Sequence, residues 1–296
     1  SFHVFIFTII DYIILVMTNL VKLSVTLSLI FSINNVYADR EAFESTYVPL
    51  APEKIVIQNA SIYDGDGGEF FETDVLVEDG KIIAIGKDLP FSNEFRVIDA
   101  TGKWVTPGII DIHSHMGVYP APGVRTSSDG NEATSPVTAD VWAEHSIWVQ
   151  DPQYALALTG GVTAFHILPG SANLIGGRGV TVKNLQRVTI NSMKFPDAPH
   201  SLKMACGENP KRVYGNRGQA PSTRMGNAAG YRKSWIQAEG YLRRLNEYEE
   251  KSDEAKELEY APTRDLEMET LVGVLKGEIL VHNHCYRADE MATMID

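Results

Sequence analysis

Between residues 54 and 105 apolar and polar positions alternate in short runs broken by Gly and Asp, the period-two pattern of half-buried strands. Residues 54–63 and 73–78 each read as a strand, with Asp64-Gly65-Asp66-Gly67-Gly68 as a turn after the first. Asp79-Gly80 then joins residues 73–78 to residues 81–85 as a hairpin, because both turn residues tolerate positive φ. Residues 97–100 and 102–105 predict one more strand pair. Strands this short need a second sheet over their apolar face.

From residue 106 the rhythm changes to apolar runs alternating with stretches of helical period, the mark of a parallel α/β arrangement. The first run, residues 109–112, predicts a buried strand entered through the Pro107-Gly108 turn and closed by His113 and His115. Residues 116–136, rich in Gly, Pro and Ser, predict a long loop on the same side as those histidines, and residues 139–158 a helix. Residues 161–168 form a second strand, followed by a Gly-rich loop at 169–179 that lacks a phosphate-binding signature and reads as facing substrate. A third strand starts at 179–183 and a fourth at 201–205. Residues 231–258 read as one amphipathic helix with Trp235, Ala238, Leu242 and Leu245 on one face, and residues 265–275 as another. The fifth strand, 277–281, runs into His282-Asn283-His284.

Composition narrows the picture. A chain of 296 residues, 44% hydrophobic and 22% charged, has the make-up of a soluble globular protein. Its net charge of −12 disfavours nucleic acid and anionic membrane as partners. Two cysteines, Cys206 and Cys285, are too few for a disulfide scaffold. They sit near the ends of strands four and five and can pair if their Cα atoms approach within about 7 Å.

The amino terminus stands apart. Counted from Met17, a short region with Lys22, an apolar run over 23–33 and the small-residue site Val36-Tyr37-Ala38 predict a secretory signal peptide. A membrane anchor over residues 3–33 competes, penalised by Asp11 and Lys22. The division is then a leader over 1–38, a linker over 39–52, the first part of a β-sandwich over 53–106, and a barrel over 107–296. We expect an exported protein, periplasmic or extracellular, without stable membrane insertion after cleavage, and able to form homo-oligomers.

Chemistry concentrates at strand ends. Residues two apart on a strand face the same side, so His113 and His115 can both offer imidazoles, the commonest side-chain metal ligands, to one point. The bland alternative is a pair of hydrogen-bonded core histidines. The stretch Pro107-Gly108-Ile109-Ile110-Asp111-Ile112-His113-Ser114-His115, together with residues 53–107, resembles the first-strand signature and small sandwich of the amidohydrolase superfamily, whose members are metal-dependent hydrolases on a (β/α)8 barrel of TIM type. More narrowly, the chain from about residue 53 onward is similar to exported imidazolonepropionase-like and prolidase-like amidohydrolases.

That resemblance carries residue-level expectations. His113 and His115 match its metal-binding pair. Lys203 matches a fourth-strand lysine that bridges two metals as its carbamate, the bare ammonium having no lone pair to offer; Glu208 is the rival bridging ligand. The strand-five motif around Val281-His282-Asn283-His284 supplies one ligand, and either His282 or His284 can be it, His284 being preferred. His166 is a candidate substrate contact or a core histidine, His145 and His200 read as structural, and Asp111 as orienting its neighbours. The catalytic Asp of the family falls beyond Asp296. One or two divalent ions are implied, zinc suiting the donors best and manganese or iron being alternatives. The implied activity is hydrolysis of a C–N bond (non-peptide amide, cyclic amide or dipeptide-like) in a small-molecule substrate. A deaminase of the same superfamily and a non-catalytic scaffold are the rival readings. A complete barrel has eight strands and five are legible, so the chain reads as a partial barrel, inactive and poorly stable alone.

Overall fold

A computed structural model describes residues 44–296; the expected leader at 1–38 lies outside the described residues. Two five-stranded sheets make up the structure. The first contains β1 (Ile55–Tyr63), β2 (Glu69–Glu78), β3 (Lys81–Gly86), β4 (Arg96–Asp99) and β5 (Trp104–Val105). Asp79 and Gly80 do form the β2–β3 hairpin turn, at φ of 52° and 71°. The expected pairing of the last two strands with each other does not occur. Both run parallel to β1, β4 along Ile55 to Gln58 and β5 along Ser61 and Ile62. The cause is an irregularity of β1 at Asn59, held at φ 58° with its N–H donating to Asp74 Oδ1 at 3.0 Å. It splits the edge of β1 into two halves, and the Ala100–Lys103 turn steps the chain from one half to the other. One face packs Ala60, Ile62, Val75 and Ala100 into a small core. The other leaves Phe71, Ile83, Val97 and Trp104 exposed, and no second sheet covers it among the described residues.

The second sheet has the order β10-β9-β8-β7-β6, built from β6 (Ile109–Ser114), β7 (Val162–Ile167), β8 (Ile175–Lys183), β9 (His200–Ala205) and β10 (Ile279–His284). β6 with β7 and β9 with β10 pair in parallel, as the alternation predicts. The third strand departs from expectation: β8 is antiparallel to both neighbours. A parallel return needs a crossover of a dozen or more residues; the short link between Ile167 and Ile175 allows only reversal. The Gly-rich segment is correspondingly not all loop. From Ile175 to Gly179 it is buried strand, where Gly177 at φ 108° would place a Cβ 2.4 Å from the Val141 carbonyl oxygen.

The helices are α1 (Gln153–Thr159), α2 (Glu208–Gly215), α3 (Arg224–Glu249), α4 (Asp253–Leu258), α5 (Leu266–Leu275) and α6 (Ala288–Ile295). Where a helix was expected over 139–158, only a 3-10 turn at Ala143–His145 and α1 form. Residues 137–142 instead lie along β8, through bridges at Val137–Ile175 and Trp142–Arg178. The helix expected over 231–258 is two helices. Ser252 accepts from the Ala255 N–H, capping α4 and ending continuity with α3. The apolar face of α3 does bury Ala238 and Leu245 against Leu202, Met204 and Leu271. Asp265 caps α5 through the Met268 N–H. Among the described residues no helix is long and apolar enough to cross a membrane.

β6, expected to be buried, is an edge strand. Ile109, Ile110 and Ile112 are 53%, 61% and 70% exposed. An edge strand is covered on fewer sides than a central one, and among the described residues β6 pairs with β7 alone.

Candidate metal centre

Three mutually parallel strands, β6, β9 and β10, direct side chains to one end of the curled sheet. His113 and His115 come from the end of β6, with ring centroids 5.3 Å apart, so they share a side as strand periodicity predicts. Lys203 comes from β9 and is 1% exposed. His282 lies beside it in register on β10, two residues before His284. Lys203 Nζ sits 3.0 Å from His113 Nε2, an approach between residues 90 apart in sequence.

Each group has a defined electrical state. Burial lowers the Lys203 pKa to about 8, since the charged ammonium loses hydration. His113 is lowered to about 4, first by burial, then by the Lys203 ammonium and by His115, His284 and His282. Burial is also the main cause holding His115, His282 and His284 below the usual imidazole range, with Lys203 adding to it. The imidazoles are therefore neutral at pH 7, the form that binds metal.

Second contacts fix the rings. His115 Nδ1 is 2.8 Å from the Leu168 carbonyl, so Nδ1 carries the proton and Nε2 keeps its lone pair. Asp111 Oδ1 accepts from the His113 N–H at 3.1 Å, in keeping with an orienting role. His284 Nδ1 is 3.1 Å from Ser171 Oγ. Its Nε2 is buried without a hydrogen-bond partner among the described residues. A buried polar atom left so carries a penalty of roughly 1–3 kcal/mol.

His166 is buried beside this group rather than within it. Nδ1 lies 2.9 Å from Thr181 Oγ1 and Nε2 lies 2.7 Å from Ser201 Oγ, which occupies both ring nitrogens. Its ring stacks on His282 at 4.5 Å, and its pKa falls to about 4 through burial and then His282 and His113. This is the position of a satisfied core histidine that supports His282. Glu208 is exposed in the first turn of α2, and among the described residues no hydrogen bond joins it to the group. His145 and His200 both stand against Trp142. Cys206 and Cys285 are joined in a disulfide with Cα atoms 5.1 Å apart.

The donor set suits a divalent ion in its chemistry: neutral imidazoles, an orphaned buried nitrogen and a desolvated lysine. Among the described residues no three His, Cys, Asp or Glu side chains converge as a ready-made ion-binding group. Lys203 Nζ lies against His113 Nε2, the lone pair that a cation would need. Sequence reasoning missed Ser171, Thr181, Ser201 and the Leu168 carbonyl. Only a hydroxyl in the loop after β7 could have pointed to Ser171.

A histidine and lysine cluster on the strand-end rim of a partial TIM-type barrel defines the class of protein. No family model matches the chain. It is 39% identical to an amidohydrolase of Thermotoga maritima MSB8 of known crystal structure, over 82% of this chain and 61% of that one, with a TM-score of 0.74. It is 36% identical to the amidohydrolase tasK of Hapsidospora irregularis over 250 residues, which are 78% of this chain and 25% of tasK. A dihydroorotase of Lactobacillus helveticus is 46% identical over 74 residues, 25% of this chain and 16% of that enzyme. The chain thus spans a quarter of tasK and about three fifths of the Thermotoga structure. It belongs to the amidohydrolase superfamily.

Proposed function

We propose that this protein is a metal-dependent hydrolase of C–N bonds in small molecules, acting on a non-peptide amide, cyclic amide or dipeptide-like bond. The observation that carries the reading is the meeting of His113, His115, Lys203, His282 and His284 at one sheet end, with the Nε2 of His284 buried and unpartnered among the described residues. His113, His115 and His284 would hold a divalent ion, zinc being the best match to imidazole donors. When bound, such an ion lowers the pKa of its water to about 7 in favourable sites and polarises a carbonyl.

The chain's own residues do the rest. The Leu168 carbonyl and Ser171 fix two ring orientations, and Asp111 holds the backbone at His113. His282 stacks on His166, and in this reading it serves as a hydrogen-bonding group for substrate while His284 takes the ion. Lys203 becomes a ligand by carbamylation. Its neutral amine attacks carbon dioxide, the new N–C bond forms, and one proton leaves to solvent. Burial favours this, since a lysine of pKa about 8 is roughly a tenth neutral at pH 7, against well under a thousandth at the usual value. Export is part of the same proposal, supported by the leader pattern at 17–38 and by the Cys206–Cys285 disulfide, a bond that persists in oxidising compartments.

The test is metal analysis and hydrolysis with the full natural chain, against N-acyl amino acids, hydantoins, dihydropyrimidines and Xaa-Pro dipeptides, reading released amine or ring opening. We expect at least one ion per chain and turnover that His115→Ala abolishes without changing the far-UV spectrum. Unchanged turnover in His115→Ala, or well below one ion per chain after incubation with zinc, would overturn the proposal.

A further inference from the structure

We propose that the Cys206–Cys285 disulfide positions His284 and Lys203 for the metal, so that divalent-ion affinity depends on the redox state of this bond. The inference rests on the function proposed above.

The bond lies just past the end of the ladder that joins the two strands. The β9–β10 ladder ends at Ala205 opposite His284, and its last backbone contact is the Cys206 N–H donating to the His284 carbonyl at 2.7 Å. Cys206 and Cys285 are the next residues of each strand, and their side chains are covalently joined. Among the described residues β10 is an edge strand, paired with β9 alone, and Leu280 and Val281 are half exposed. Just before the disulfide, His284 keeps Nε2 in a buried site without a hydrogen-bond partner among the described residues. A strand end carrying that penalty gains by turning the ring toward water as soon as the backbone is free to move. The Ser171 hydroxyl, at 3.1 Å, resists this weakly by itself. The disulfide resists it at the backbone, one residue from His284 and three from Lys203.

Reduction would act locally. Past Cys285 the chain re-enters the fold through α6, where Glu290 pairs with Arg224 of α3 and accepts from the Arg287 N–H. The Glu290 carboxylate also lies against Gly207, at φ 68° in the loop after β9. These contacts keep α6 seated while the His284 segment loosens. Cys206 is buried and Cys285 only partly so, which leaves Cys285 Sγ as the sulfur an external thiolate reaches. Exchange with a dithiol breaks the Sγ–Sγ bond, and the dithiol becomes a cyclic disulfide while its two protons end on the two cysteine thiols. The site is then a tight metal site once the chain is oxidised and a poor one in a reducing compartment.

The experiment uses the full natural chain, stripped of metal, in three forms: oxidised, reduced with a dithiol that is then removed anaerobically, and Cys206→Ser/Cys285→Ser. Zinc affinity is measured by competition with a chromophoric chelator, and hydrogen exchange at the Cys206 amide is measured without metal. We expect zinc affinity at least tenfold weaker, and exchange of the amide at position 206 at least tenfold faster relative to its intrinsic rate, in both the reduced and the serine forms, with unchanged far-UV spectra. Equal affinities within twofold in all three forms would overturn the inference and leave the metal site standing. Failure of the oxidised form to bind zinc would remove the proposed function itself, and with it this inference. Global unfolding on reduction would assign the bond to general stability and also overturn the local role; the serine variant excludes zinc capture by free thiols.

Discussion

Lys203→Met should stabilise the metal-free protein, by an amount the structure allows to be worked out. Lys203 is 1% exposed, its Nζ meets an imidazole nitrogen rather than a carboxylate, and its pKa falls from 10.5 to about 8 through burial. Below about pH 8 the lysine is protonated in both folded and unfolded chains, and the folded protein bears the whole desolvation penalty. Between pH 8 and 10.5 the folded state is neutral while the unfolded state still binds the proton, so stability rises with pH. Above 10.5 the penalty is gone. A shift of this size corresponds to roughly 3 kcal/mol at 1.36 kcal/mol per pKa unit. Methionine has a similar unbranched shape and no charge, and it fills the site without that penalty. Urea denaturation of both proteins, free of metal and carbon dioxide, should therefore show Lys203→Met more stable by about 3 kcal/mol at pH 7, converging near pH 10.5–11. Other groups that titrate at high pH are common to both chains and cancel in the difference. A methionine variant that is no more stable at pH 7, or an advantage that does not shrink with pH, would refute the claim that Lys203 is an uncompensated buried cation. A buried lysine of this kind is the trade of stability for function that the proposed role of Lys203 requires.

Ser171→Ala removes the hydroxyl partner of His284 Nδ1 and should weaken zinc binding about tenfold with little change in melting temperature, read by chelator competition. Glu144→Gln breaks a buried ion pair in which Lys194 Nζ lies 2.7 Å from Glu144 Oε1, and should destabilise by roughly 3 kcal/mol in urea titrations. Gly177→Ala should cost about 2 kcal/mol or more, because φ of 108° and the Val141 carbonyl both exclude a Cβ; a loss under about 0.5 kcal/mol would mean that β8 runs differently.

What the sequence made legible follows from how local each signal is. The His113/His115 pair, the Asp79-Gly80 hairpin and the helix over 265–275 depend on neighbours a few residues away, and each stands where the pattern puts it, the helix starting at Leu266. The direction of β8 depends on the length of a link whose boundary the glycines obscure, because Gly176, Gly177 and Gly179 look like loop and are buried strand. The irregular course of 139–152 depends on partners far along the chain. Asp151 spends its carboxylate on the N–H groups of Gly117, Ala121 and Gln153, which periodicity does not register. His166 carries no sign in sequence that Thr181 and Ser201 will occupy its nitrogens, and Ser171 lies 113 residues from His284. Strand-end histidines are thus readable as a set, while the contacts that assign their separate roles arise only when the sheet closes on them.

One distance shows how far that closure goes. In the order β10-β9-β8-β7-β6, β9 and β6 are separated by two intervening strands. Adjacent strands lie about 4.8 Å apart, so in a flat sheet Lys203 and His113 would stand roughly 14 Å from each other. Side chains that rise perpendicular to a flat sheet would keep that spacing. Nζ and Nε2 are instead 3.0 Å apart. The sheet must therefore bend through β7 and β8 toward its own inner face, as strands do when they close a barrel. The reversed strand supports the bend. Gly177 takes a backbone angle open to few other residues where the β8–β9 register shifts, and Gly179 admits the Ser201 hydroxyl that holds His166 beneath His282. Curvature and chemistry thus rest on the same few residues: flattening β8 would separate Lys203 from His113 before any ligand was removed.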